Sequence, residues 1–245
     1  MRVSLPKSFL LRPIAHRGLH SALVSENSLA AFRLAAEMDY AVELDIHLTK
    51  DGKLAVVHDS DLCRVTGKEG IVEDLTSEEL KGYTLLLSGE PVPLLDDVLT
   101  LIRGCVPVLI ELKFDEGFDR RQADALLTML DAYPYNDMVA LQSFHPLAVK
   151  YLKRHTNAYS VGYLSSYKLK KLSGPVLYLL KSLKLYRIIH ADFISYDINY
   201  LPNKYVSRLQ RKGETVLAWT VDSKEKLDTA KIHADNFIFE KIVPK

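Results

Sequence analysis

Cysteine is scarce in this 245-residue chain, which has only Cys63 and Cys105, and its formal net charge is only +1. Two such residues form no metal-binding spacing and no dense disulfide framework, and they suit a reducing compartment. A near-neutral balance supplies no global field for nucleic acid. No apolar run approaches the roughly 20 residues that a membrane-spanning helix needs. The first residues, Met1-Arg2-Val3-Ser4-Leu5-Pro6-Lys7, lack the apolar stretch and small-residue cleavage site of a signal peptide. Internal repeats and low-complexity segments are missing too. A soluble cytoplasmic protein is the expectation.

What is present is enough apolar material, 48% of residues, to bury a full core. Short apolar runs alternate with helix-length amphipathic segments. Strands are expected at 13–16, 41–46, 107–112, 138–143, 159–163, 192–197, 215–220 and 236–239, and helices at 27–38, 119–132, 145–154 and 223–231. Val106-Pro107-Val108-Leu109-Ile110-Glu111-Leu112 is apolar on both faces, as buried parallel strands are. Ser25 or Asn27 is the expected cap of the first helix, and Asp222-Ser223 of the last. Eight strands alternating with helices at this length predict a TIM (β/α)8 barrel spanning 1–245 as one domain.

Residues 47–96 break that rhythm and read as a small insertion after the second barrel strand. Lys50-Asp51-Gly52-Lys53 has the character of a hairpin turn, and Thr76-Ser77-Glu78-Glu79 that of a helix start. A local bias lies between Leu164 and His190, where Lys168, Lys170, Lys171, Lys181, Lys184 and Arg187 occur with no acidic residue. An outer helix with a solvated basic face explains it, and weak contact with an anionic membrane surface is the alternative.

Chemistry concentrates at predicted strand ends. Glu43 and Asp45 are two apart, so a strand turns both to one face, where they repel unless a cation or proton lies between them. Glu111 and Lys113 repeat that spacing. Three carboxylates converging at a barrel mouth suit a hard divalent cation, Mg²⁺ or Ca²⁺, better than Zn²⁺. Arg17 and Lys113 add positive charge for an anion, and His16 and His58 are imidazoles, the side-chain type suited to proton transfer. Together these describe a phosphate-ester site. The competing reading pairs Glu43 and Asp45 with Arg17 and Lys113 in a structural ion network. Asp59 orients His58 or caps a turn, His47 is expected to be a loop histidine without a partner, and His20, His145, His155 and His233 are read as structural or surface.

The chain resembles the glycerophosphodiester phosphodiesterase family through an ordered set of motifs. These are Ile14-Ala15-His16-Arg17-Gly18, Glu26-Asn27-Ser28-Leu29-Ala30-Ala31-Phe32, Val42-Glu43-Leu44-Asp45-Ile46-His47-Leu48 and Val56-Val57-His58-Asp59. They continue through Ile110-Glu111-Leu112-Lys113, Gln142-Ser143-Phe144 and Ala218-Trp219-Thr220-Val221. The resemblance implies hydrolysis of glycerophosphodiesters to sn-glycerol 3-phosphate and an alcohol. It also implies one divalent cation on Glu43, Asp45 and Glu111, and acid–base catalysis by His16 and His58. By the same resemblance Arg17 and Lys113 bind phosphate, Glu26 lies at the metal and phosphate site, and Trp219 stacks on the glycerol carbons. Where the family ends on a strand carrying Thr-Asp, this chain has Asn236-Phe237-Ile238-Phe239-Glu240, and Glu240 is left out of the expected site. Two other functions fit parts of the pattern. One is a phospholipase-D-like or phosphatidylinositol-cleaving enzyme at a membrane surface; the other is a non-catalytic barrel that binds phosphorylated ligands.

Overall fold

Each predicted strand forms, and the parallel ones close on themselves. The structure, a computed structural model, describes residues 2–115, 117–167 and 182–244. Strand β1 (Ile14–Ala15) pairs in parallel with both β2 (Ala41–Leu48) and β9 (Asn236–Phe239). Between those two run β4 (Val108–Leu112), β5 (Val139–Ser143), β6 (Ser160–Ser165), β7 (Phe193–Asp197) and β8 (Thr215–Val221), parallel throughout. Eight parallel strands therefore form a closed TIM barrel. The short β3 (Leu54–Val56) folds back antiparallel on β2 through the Lys50–Lys53 turn.

Helices at Leu29–Glu37, Arg120–Asp131, Pro146–His155 and Lys224–His233 stand within two residues of their expected limits. Ser223 caps the last of them, accepting from the Lys226 amide. The first is capped by Ser28, not by Ser25 or Asn27. Both candidates are otherwise engaged: Ser25 accepts from the amides of Leu87 and Ser88, and Asn27 turns its side chain to Asp45.

Alternation along the strands sorts the core into two layers. Outward residues such as Val42, Leu44, Ile46 and Ile110 pack with helix residues Phe32, Leu99 and Leu126. Inward residues Ile14, Ala41, Leu109, Ala140, Phe193, Leu217 and Ile238 fill the lower barrel, closed from below by Leu5 and Phe9 of the N-terminal segment. Asn236 ties that plug in place, donating to the carbonyls of Phe9 and Arg12. The layer is filled tightly: a Cβ on Gly162 would fall 2.2 Å from the Phe193 ring.

The insertion has a third apolar cluster of its own, including Val57, Leu62, Val72, Leu80 and Tyr83. Thr76 and Glu79 form the capping box of its short helix Ser77–Leu80. No helix among the described residues is long and apolar enough to cross a membrane. Residues 168–181, with Lys168, Lys170, Lys171 and Lys181 of the basic stretch, lie outside the described residues.

Candidate active site

Glu43 and Asp45 both face the barrel interior from β2, and the β2–β4 register sets Glu111 directly beside Asp45. All three are buried, and an oxygen of each lies within 4.8 Å of the others. Such crowding shifts their proton affinities apart. Burial raises the Glu43 carboxyl well above its ordinary value, and Asp45 and Glu111 add to the rise. Glu111 is pushed up to about 7 by burial, with Asp45 adding and Lys113 opposing. Asp45 moves the other way: burial opposes its charge, but Lys113, Arg17, His58 and His16 together outweigh burial. One firm carboxylate and two reluctant ones around a common point make a place that favours added positive charge.

Cationic residues flank this trio. Arg17 follows β1 with φ of 54° and donates its backbone N–H to Glu43 (3.0 Å). Its Nε lies 3.2 Å from Asp45 Oδ2, and its Nη1 donates to Glu26 (2.8 Å). The turn holding Arg17 can approach the following helix because residue 18 is glycine: at φ of 77°, a Cβ would sit 2.8 Å from Ala31 Cβ. Lys113 Nζ is 3.0 Å from Glu111 and 3.7 Å from Asp45. Asn27 donates to Asp45 (3.0 Å) and fixes that carboxylate's orientation.

The two histidines have matching support. His58 Nδ1 contacts Asp59 Oδ1 at 2.6 Å, and its Nε2 lies 3.0 Å from Lys113 Nζ. Burial lowers the proton affinity of His58, with Lys113 and Arg17 contributing and Asp45 opposing. Burial disfavours the charge on Lys113, but Glu111 and Asp45 more than restore it, so Lys113 donates and His58 Nε2 accepts. The remaining imidazole proton is then on Nδ1, facing Asp59. His16 Nδ1 is bound by Glu240 at 2.9 Å. The imidazoles of His16 and His20 hold the Glu240 carboxyl far below the usual carboxylate range.

A cavity of about 120 Å³ opens at the centre, lined by His16, Arg17, Glu43, Asp45, His58, Glu111 and Lys113, together with Gln142, Phe144 and Trp219. Trp219 meets Phe144 edge to face, with ring centroids 5.2 Å apart, and the pair gives the cavity an apolar surface. Wider clefts of about 680 and 660 Å³ lie to either side, one reaching Lys113 and the other Glu240.

The expected residues His16, Arg17, Glu43, Asp45, His58, Glu111, Lys113 and Trp219 thus surround one cavity. Glu26 stands one layer back, shared between Arg17 and Arg64. His47 is neither in a loop nor without partners. It is a buried residue of β2, bound to Glu73 (2.8 Å) and the His58 carbonyl (3.1 Å), because β2 runs two residues beyond 46. Glu240, omitted from the expected site, reaches it through His16. Its place directly after the last barrel strand was the available signal. Asn27 sat within a motif, but its link to Asp45 requires the folded loop. Nothing local in the sequence marks Arg64, whose partners are 38 residues away and in the segment ahead of it.

A profile of the glycerophosphoryl diester phosphodiesterase family matches residues 16–237. A glycerophosphodiester phosphodiesterase of Caldanaerobacter subterraneus is 30% identical over 224 residues, covering 88% of this chain and 87% of that protein. A putative glycerophosphodiester phosphodiesterase of Bacillus subtilis is 28% identical over 90% of this chain and 89% of its own length. Among solved structures, an Oleispira antarctica phosphodiesterase in complex with the product sn-glycerol-3-phosphate shares the fold. Its TM-score is 0.83 at 23% identity, covering 96% of this chain and 94% of that one. By the reach of the family match and by its closed barrel, the chain belongs to the glycerophosphoryl diester phosphodiesterase family.

Proposed function

We propose that this enzyme hydrolyses glycerophosphodiesters to sn-glycerol 3-phosphate and an alcohol, using one divalent cation and the histidine pair His16 and His58. The observation that carries the reading is the buried Glu43–Asp45–Glu111 trio, flanked by two histidines that each have a carboxylate on Nδ1. Family membership makes the chain a phosphodiesterase. The Oleispira antarctica relative, bound to sn-glycerol-3-phosphate, supports the choice of substrate class.

The trio fits a hard cation. Its donors are all oxygen, they lie close together, and burial leaves Glu43 and Glu111 reluctant to ionise without one. Mg²⁺ and Ca²⁺ both suit this donor set. When bound, the cation supplies positive charge against the phosphate oxygens as the transition state forms.

The chain's own groups do the rest. Arg17 and Lys113 face the phosphate from the trio's rim and offset the charge that builds on its non-bridging oxygens. The imidazoles of His16 and His58 line the cavity, each held at Nδ1 by a carboxylate, which leaves Nε2 for proton transfer, at His58 once the phosphate draws the Lys113 ammonium away from it. Whichever imidazole takes the nucleophile's proton, the other gives one to the leaving alkoxide. Trp219 and Phe144 cover the glycerol carbons and exclude water from that side.

The direct test is release of glycerol 3-phosphate from glycerophosphocholine and glycerophosphoethanolamine, with Mg²⁺, with Ca²⁺ and with chelator, beside His16→Ala. Cation-dependent turnover, abolished in the variant, is the expected result. Turnover unaffected by chelation would overturn the cation, and unaffected by the substitution, the histidine. Inactivity on both soluble diesters with activity on lysolipid vesicles would move the substrate to the membrane surface.

A further inference from the structure

Arg64 belongs to the insertion's short helix Cys63–Thr66, outside the cavity, and none of its contacts is to the cavity's own lining. Its guanidinium nevertheless joins the two sides of the site from outside, in addition to the inner link in which Asp45 and Lys113 connect Arg17 to His58. Nη2 and Nη1 donate to the two oxygens of Glu26, at 2.7 and 3.1 Å, while Nε donates to Asp59 Oδ2. Each of those carboxylates holds a group of the proposed machinery. Asp59 Oδ1 contacts His58 Nδ1, and Glu26 Oε1 accepts from Arg17 Nη1.

We propose that Arg64 is a positioning residue, a clamp that fixes the acid–base histidine His58 and the phosphate-binding Arg17 relative to each other. This rests on the reaction proposed above and extends it to the insertion, which thereby takes part in assembling the site. The chemistry calls for arginine. Two carboxylates approached from two edges need a planar fork with separate N–H groups, whereas a lysine ammonium is a single point charge on a flexible stem. Without the clamp, Asp59 and Glu26 lose their shared cation. Asp59 is then free to turn from His58, and both oxygens of Glu26 act on Arg17, drawing its guanidinium back from the cavity.

The two arms predict two kinetic signatures. Arg64→Ala should lower kcat through His58 and raise KM through Arg17, with kcat/KM falling about 10–100-fold, the usual scale for partners that orient catalytic ligands. Arg64→Lys should recover part of that loss. The Arg64 side chain is 49% exposed, so added guanidinium can reach its place and should restore rate to Arg64→Ala in millimolar amounts. In a double-mutant cycle, Arg64→Ala should add little further loss of kcat in a background already carrying Asp59→Asn, while still raising KM through Glu26 and Arg17. A variant within twofold of wild type in both kcat and KM, or kcat losses that simply multiply, would overturn the clamp. Should Arg64→Ala fail to fold, the same cycle with Arg64→Lys decides. If the wild type proves inactive on glycerophosphodiesters, the functional reading fails on its own. The clamp is then judged by the ¹⁵N resonances of the His58 imidazole, which must shift in Arg64→Lys if Arg64 acts through Asp59 and stay fixed if it does not.

Discussion

On β2, Ala41 and Glu43 point into the same barrel two residues apart, yet they belong to different environments. Ala41 joins Leu109, Phe193 and Leu217 in a lower interior made of apolar side chains and sealed by Phe9. One step up, Glu43, Asp45 and Glu111 crowd three carboxyl groups where burial works against their charge. The lower layer is held together by burial, with each large side chain contributing roughly 1.5–3 kcal/mol. In the upper layer Arg17 and Lys113 keep Asp45 ionised but leave Glu43 and Glu111 resisting charge until a further cation arrives. A barrel strand can therefore serve both ends because its two-residue repeat lets one face change character along its length.

The sharpest way to break the comparison is Glu43→Gln. Turnover should fall about 100–1,000-fold, the scale of losing one preorganised electrostatic partner. Thermal stability of the chelated protein at pH 8 should nevertheless rise, since a group that resists ionisation has been replaced by a neutral one. Loss of both activity and stability would mean that Glu43 is a structural ion-pair partner. Phe193→Ala should do the reverse. We expect about 3–5 kcal/mol of destabilisation by denaturant unfolding, with kcat little changed in the folded fraction. A large fall in kcat at full folding would show that the two layers are not separable.

The smallest effect sharpens the picture through pH. Glu111 has a folded value of about 7 against an ordinary 4.5, so the folded chelated protein holds a proton that the unfolded chain releases. Its contribution to stability is complete below 4.5 and is lost as pH rises through about 7. Asp45, shifted downward, has the opposite sign and acts below its ordinary value of 3.8, outside this window. Relative to Glu111→Gln, in which the opposite contribution of the downward-shifted His58 is common to both proteins, chelated wild type should thus lose stability from pH 5 to 8, and saturating Mg²⁺ or Ca²⁺ should flatten that slope. An identical slope with and without cation would count against the trio as its site.

Much of this arrangement could be read before folding was considered. The apolar runs marked all eight barrel strands, because a buried parallel strand needs hydrophobic residues on both faces. The spacing of Glu43 and Asp45 and of Glu111 and Lys113 placed each pair on one face by local geometry alone. His47 was misplaced because its environment depends on how far β2 continues and on Glu73 of the insertion meeting it. The capping serine was misassigned for a related reason. Ser25 and Asn27 had the right side chains, but distant backbone and Asp45 claimed them first.

By itself, then, the sequence determined the strands and the inward acids, which follow from periodicity over a few residues, and it marked the two histidines through the family motifs that contain them. Tertiary structure decided which groups support them. Glu240 reaches His16 from 224 residues away, and Lys113 reaches His58 across 55. Arg64 meets Glu26, 38 residues away, only because the segment after β3 folds back toward the loop that follows β1. Such contacts depend on barrel closure and on the path of one excursion, and no local pattern encodes a distance that only the closed sheet creates.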